Sequence, residues 1–246
     1  MEKVEFTSGR LRIAGALHLP DASRFAPPYP AVVICHGIGS CKESHSAFAD
    51  FLAHHGLAAL AFDLRGHGES EGQLDDHVLD DITAALDWLS RRPEIDRSRL
   101  GLRGSSMGAM LALHAAVRDL RVRAVTAIAP AVEALTIPAI ETGELLERLG
   151  RVGLTVRIDS SAYVRYLRSH DSRGEVHRIA PRPLLLIHCK GDELIPYTCT
   201  EELFHLAHEP KKLVLIEGGH HRFAQQDASA GEQTAEWFKR NLQEAK

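Results

Sequence analysis

The pentapeptide Gly104-Ser105-Ser106-Met107-Gly108 lies between an apolar stretch that reads as a strand and a segment that reads as a helix. A serine presented on such a turn is a nucleophile for acyl transfer. The turn is sharp enough that the residues two before and two after the nucleophile must be very small, and Gly104 and Gly108 meet that demand. Ser106 is thereby lifted clear of the sheet, whereas Ser105 lacks the symmetric glycine spacing and reads as structural. The helix starting at Met107 directs unsatisfied N–H groups and the positive end of its dipole toward the serine, which favours a developing oxyanion.

Such chemistry also needs a second oxyanion donor, a base and a group to orient the base. His36-Gly37-Ile38-Gly39 follows the apolar run Ala31–Cys35. Glycine at 37 lets the backbone come close to a substrate oxygen, so the N–H of Ile38 is expected to pair with that of Met107 as the oxyanion donors. The run Leu213–Glu217 leads into Gly218-Gly219-His220-His221-Arg222-Phe223 and offers two histidines at a strand's carboxyl end, where open α/β sheets bind ligands. The run Leu184–Cys189 ends in Lys190-Gly191-Asp192-Glu193, which supplies a carboxylate in a matching loop. A carboxylate in that place holds a neutral imidazole in the right tautomer and stabilises the imidazolium that forms. Asp192 is the expected acid, with Glu193 its solvated neighbour.

The elements that would position these groups alternate along the chain. Val4–Ser8 and Leu11–Leu19 read as an antiparallel hairpin at a sheet edge. Beyond the proline-rich stretch Pro27–Pro30, apolar runs at 31–35, 57–63, 100–103 and 122–129 alternate with helical segments near 46–55, 76–91 and 107–117. From Ala131 to Ile179 the rhythm gives way to helix-period segments such as Glu144–Leu149 and Ser161–Arg168, which read as a short helical cap insertion. It resumes with Leu184–Cys189, a helix near Thr200–Ala207, the run Leu213–Glu217 and a terminal helix ending near Leu242. Alternation of this kind implies an α/β fold with a mostly parallel, doubly wound sheet and one domain over residues 1–246.

Composition narrows the partners. The chain has 246 residues, 44% of them hydrophobic, enough to bury one full core. Its formal net charge of -4 comes from interleaved acids and bases with no polybasic run, which argues against a nucleic-acid partner. No stretch reaches the roughly 18 apolar residues that span a bilayer, and Met1–Phe6 alternates charged and apolar residues unlike a signal peptide. A cytoplasmic protein without membrane contact is expected. Cys35, Cys41, Cys189 and Cys199 include no C-x-x-C pair and read as free thiols. His45, His54 and His55 read as solvated helix residues.

The segments Ile34–Gly37, Phe62–Ser70, the Ser106 turn, His188–Pro196 and Glu217–Phe223 together resemble the α/β-hydrolase superfamily, in particular small esterases of the cinnamoyl/feruloyl-esterase and dienelactone-hydrolase-like type. The resemblance implies hydrolysis of a small-molecule ester with no metal and no cofactor, with Ser106, Asp192 and His221 in the family's chain order of nucleophile, acid and base. The frame of related sequences puts His220 in a variable place and His221 in that of the base. Cys189 stands where glycine is common, and His220 is an added histidine. Arg65 and His67 fall in the family's recurrent tight turn and read as structural. A serine at 106 argues against epoxide hydrolases and dehalogenases, which carry aspartate there, and against dienelactone hydrolases proper, which carry cysteine. Thioesterase activity and, at a distance, a non-catalytic receptor on the same fold remain as alternatives. The insertion's apolar residues are interrupted by charges, which suits short-to-medium or aromatic acyl groups, with Tyr163 and Tyr166 as candidate substrate contacts. Oligomeric state is left open, a homodimer included.

Overall fold

In a computed structural model, which describes residues 1–243, eight strands form one sheet. They are β1 (Glu2–Ser8), β2 (Leu11–His18), β3 (Tyr29–Cys35), β4 (Ala58–Phe62), β5 (Ile95–Ser105), β6 (Val122–Ile128), β7 (Leu184–Cys189) and β8 (Lys211–Ile216). Their spatial order is β1-β2-β4-β3-β5-β6-β7-β8. The β1–β2 hairpin joins antiparallel to itself and to β4, and all pairs from β4 to β8 are parallel. This is the mostly parallel α/β sheet expected from the alternation of strands and helices, and it agrees with the fold that the resemblance to α/β hydrolases implies.

Burial explains the strand sequences. Every residue of β3, β4 and β7 is buried, which is why these segments read as unbroken apolar runs. Successive side chains pass to opposite faces. Val33 of β3 and Leu60 and Phe62 of β4 enter a core shared with α2 (Val78–Ser90) and α3 (Met107–Arg118), whereas Val32, Ile34, Ala59 and Ala61 face α1 (Ser46–His54) and Phe238 of the last helix. The outer strand β1 keeps alternate residues exposed because only one face is covered.

Between β6 and β7 come α4 (Glu133–Glu141), α5 (Glu144–Arg151), α6 (Ser160–Arg168) and α7 (Ser172–Glu175), followed by a 3₁₀ turn Val176–Ile179. This helical segment lies across the carboxyl ends of neighbouring strands. Leu149 and Leu154 approach Gly39 in the loop after β3, and the backbone of Arg157 bonds Gly66 and Leu74 in the loop after β4. The remaining helices are α8 (Tyr197–Leu206) and α9 (Ala228–Phe238), the latter continued by a wider helical turn Lys239–Gln243.

His45 departs from the sequence expectation. It is 3% exposed, and its Nδ1 accepts a hydrogen bond of 2.9 Å from the buried Arg103 guanidinium, which also lies over the Phe48 ring. Among the described residues no helix is long and apolar enough to cross a membrane.

Candidate active site

Strand β5 ends at Ser105, and α3 starts at Met107, so Ser106 alone makes the turn. Its backbone has φ 54° and ψ -122°, a conformation that costs a non-glycine residue on the order of 1–3 kcal/mol and persists only where the surroundings enforce it. They do so here by contact. A Cβ on Gly104 would lie 2.1 Å from the Gly108 carbonyl oxygen, and one on Gly108 would lie 2.3 Å from that of Cys35. The Ser106 N–H donates to Ile128 O (2.9 Å), and Ser106 O accepts from Ala109, Met110 and Ala131. The hydroxyl is left half-buried at the carboxyl edge of the sheet.

Two loops reach it. His221 Nε2 lies 3.0 Å from Ser106 Oγ, and His221 Nδ1 lies 2.7 Å from Asp192 Oδ2. Asp192 follows the tight turn after β7, and its Oδ1 accepts the backbone N–H groups of Leu194 and Ile195, both at 2.9 Å. Burial works against ionisation of this carboxyl, but donation from His188 and His221 and the N–H of Ile195 outweigh it and hold Asp192 well below the usual carboxylate range. Acting only as an acceptor, the carboxylate places the proton on His221 Nδ1 and leaves Nε2 free to accept from the serine. The backbone N–H of His221 donates to Glu193 Oε2 (3.1 Å), so the residue read as a bystander anchors the histidine loop. His220 is exposed, and its Nδ1 accepts from the N–H of Arg222. Ser105 is 3% exposed and points away from this cluster into the core.

On the other side of Ser106 is the loop after β3. A Cβ on Gly37 would come within 3.2 Å of Ser106 Cβ. The Gly37 carbonyl accepts from His36 Nδ1 (2.8 Å) and from the Ser40 N–H (3.1 Å). Because the two ends of a peptide plane point in opposite directions, fixing that carbonyl also fixes the N–H of Ile38. Burial pushes the His36 imidazole down to about 4, so it is neutral, donates through Nδ1 and accepts the Leu64 N–H at Nε2 (3.0 Å). Neither the Ile38 nor the Met107 N–H has an acceptor among the described residues. The neighbouring turn Asp63–Ser70 is bound up in structure: Arg65 pairs with Asp81 and Asp75, and Asp63 with Lys42.

Tyr163 and Tyr166 do not fall where the sequence suggested. They are 0% and 2% exposed, stacked with ring centres 5.9 Å apart, and Tyr166 Oη lies 2.7 Å from His114 Nδ1 on α3. One helical turn separates them, and that turn packs both rings inward as core rather than presenting them to a ligand. Sequence reasoning also passed over His188, whose Nε2 lies 3.0 Å from Asp192 Oδ2. A histidine four residues before the acid at the end of a strand was the available signal. Among the described residues no group of three or more His, Cys, Asp or Glu side chains is arranged to hold a metal ion.

Residues 26–173 match the family model Hydrolase_4, serine aminopeptidase S33. The uncharacterized protein YfhR of Escherichia coli K12 is 30% identical over 224 residues, covering 89% of this chain and 73% of that protein. Among solved structures, the α/β hydrolase GrgF from Penicillium sp. sh18 superposes with a TM-score of 0.82 at 22% identity, over 98% of this chain and 99% of that one. Est1E from Butyrivibrio proteoclasticus, solved with ferulic acid bound, gives 0.75 at 23% identity, over 98% of each. With the family model matching more than half its length and a relative aligned over most of both sequences, the chain belongs to the Hydrolase_4 (serine aminopeptidase S33) family of α/β hydrolases.

Proposed function

We propose that the protein is a serine hydrolase that cleaves carboxylic esters carrying short-to-medium or aromatic acyl groups through an acyl-enzyme on Ser106. The observation that carries the reading is the unbroken chain from Ser106 Oγ through both nitrogens of His221 to Asp192, with N–H donors of Ile38 and Met107 beside it. In acylation, Ser106 Oγ attacks the ester carbonyl as its proton passes to His221 Nε2. Asp192 stays ionised and stabilises the imidazolium. The carbonyl oxygen becomes an oxyanion between the two backbone donors, each worth about 3–4 kcal/mol in a transition state of this kind. Collapse expels the alcohol, which takes the proton from His221, and a water activated by the same base then releases the acid.

The size preference rests on the helical segment between β6 and β7, read as a cap. Its four helices are short, and Leu149 and Leu154 lie directly on the loop of Ile38. Such a cover suits a compact acyl group better than a long chain. The test is kcat/KM along p-nitrophenyl esters from acetate to palmitate, with acyl thioesters and aminoacyl anilides in the same panel. The expected maximum is at short-to-medium chains. A maximum at palmitate removes the size preference, and faster turnover of thioesters or aminoacyl anilides removes the ester reading.

A further inference from the structure

The Asp192 carboxylate serves two imidazoles. Besides His221 it meets His188, the penultimate residue of β7, which is fully buried. Both rings approach the same oxygen, Oδ2, while Oδ1 is occupied by two backbone N–H groups. A carboxylate only accepts, so His188 Nε2 carries a proton and donates to Asp192 Oδ2 at 3.0 Å, sharing it with the Ile195 carbonyl at 3.1 Å. On the far side of the ring, Nδ1 lies 2.6 Å from Thr200 Oγ1 of α8. A proton on Nε2 leaves the lone pair at Nδ1, and the Thr200 hydroxyl donates to it. Thr200 is itself fully buried and has no other side-chain partner among the described residues, so it locks the tautomer that faces the acid.

We infer that His188, held in one tautomer by Thr200, is a positioning residue of this active site: it aims the Asp192 carboxylate and moderates its pull on the His221 imidazolium. The inference rests on the reading of Ser106, His221 and Asp192 as nucleophile, base and orienting acid. His188 touches neither substrate nor reacting atoms and takes no proton in the reaction. Its effect passes through Oδ2. Electron density on that oxygen is divided between two donors, so the oxygen draws the His221 proton less strongly than it would with one. The other titratable groups around this pair are the Glu193 carboxylate at the His221 N–H, His220 and Arg222 flanking His221, and the Cys189 thiol, which burial and, to a lesser extent, the Asp192 charge raise. Lys190 is engaged by Glu217 at 2.5 Å.

The test is the pH profile of kcat/KM with p-nitrophenyl acetate, together with kcat and KM, for His188→Met, His188→Gln and Thr200→Val beside the wild type and Ser106→Ala. His188→Met withdraws the donor from Oδ2. It should lower kcat roughly ten- to a hundredfold as the acid loses its aim, with KM nearly unchanged. The carboxylate left with one imidazole stabilises the His221 imidazolium more strongly, so the acid limb of kcat/KM should move to higher pH. His188→Gln offers an amide N–H where Nε2 stood and should recover much of the rate and return the limb. Thr200→Val frees the tautomer and should shift the limb the same way by less. A purely structural His188 would lower the melting temperature and leave the limb in place. An unmoved limb in His188→Met, or equal losses in His188→Met and His188→Gln, overturns the inference. Should His188→Met fail to fold, Thr200→Val decides by the same limb. An inactive wild type or an active Ser106→Ala would instead overturn the proposed function, a result no His188 variant can produce.

Discussion

The molecule holds two clusters built from the same three side-chain types. Around Ser106, serine and carboxylate sit on opposite nitrogens of His221, 3.0 Å from Nε2 and 2.7 Å from Nδ1. Around Ser172, His114 Nε2 meets both Glu133 Oε1 (2.9 Å) and Ser172 Oγ (3.0 Å), while its Nδ1 faces the Tyr166 hydroxyl. In the second cluster the serine hydroxyl donates to the carboxylate at 2.6 Å, so its proton is already committed. Ser172 and His114 are each 1% exposed, and Ser172 stands at the start of a four-residue helix with no strained turn. The ingredients alone therefore do not make a nucleophile. On the proposed reading, what does is the order around the ring: an acid that fixes one nitrogen, a lone pair left at the other, and a serine whose proton has nowhere else to go. The Ser172 cluster joins α4, α6 and α7 to the helix that follows Ser106, and its fully bonded geometry suits a fixed joint.

Alanine at each serine gives the widest separation. Ser106→Ala should reduce kcat/KM for p-nitrophenyl acetate by several orders of magnitude, up to roughly a millionfold, without loss of folding. Ser172→Ala should keep activity within about twofold of wild type and lower stability by about 1–3 kcal/mol, because Glu133 loses a buried donor. Labelling by a fluorophosphonate should follow Ser106 alone. A dead Ser172→Ala that still folds would break the contrast.

The carboxylates sharpen it along the pH axis. Burial opposes ionisation of both Asp192 and Glu133, and hydrogen bonds from their histidines, with Ser172 adding to Glu133, overcome it, so both titrate below their ordinary values. A lowered folded value means stability that is present above the unfolded value of about 4 and lost as pH falls from there toward the folded one. Asp192→Asn and Glu133→Gln should therefore both destabilise at neutral pH and both flatten the acid decline, read by urea midpoints at several pH values. Turnover separates them. Asp192→Asn should lose about 10⁴ in kcat through the wrong tautomer of His221, and Glu133→Gln should stay within a few-fold. A loss in Glu133→Gln matching that of Asp192→Asn would mean that the two clusters act as one.

What the sequence disclosed follows from how local each feature is. The Ser106 turn is written in five consecutive residues, and the buried parallel strands in unbroken runs such as Ala31–Cys35, so both were legible. The outer strand of the hairpin, Val4–Ser8, was legible because its alternation is its exposure pattern, whereas Ile13–His18 in its partner strand is buried on both faces. Partners across the chain were not. Ser172 meets His114 from 58 residues away, and nothing near either residue announces the other. His188 and Asp192 are only four apart, but the contact depends on a turn that brings the side chains back together, and an apolar strand with one histidine does not show which face that histidine takes. His45 read as solvated because its helix has an outer face. Arg103, a charge near the carboxyl end of a core strand, draws it inside.

The smallest effects should come from the two stacked tyrosines, and they should differ in sign. Tyr166→Phe keeps the ring against Tyr163 but removes the hydroxyl that donates to His114 Nδ1, leaving a buried acceptor unmatched. A cost of about 1–2 kcal/mol is expected, or a melting temperature lower by about 2–8 °C for a chain of this size. The Tyr163 hydroxyl, by contrast, is buried with no hydrogen-bond partner among the described residues. Tyr163→Phe deletes a polar group whose desolvation nothing repays, so the melting temperature should hold or rise. Neither variant should change KM for p-nitrophenyl acetate by more than about twofold, since neither ring is open to a ligand. Thermal melts and KM for the pair decide between a joint and a contact surface. A Tyr163→Phe variant with unchanged stability but a severalfold higher KM would show that its hydroxyl reaches the substrate after all, and would shift the helical segment from fixed cover to part of the binding site.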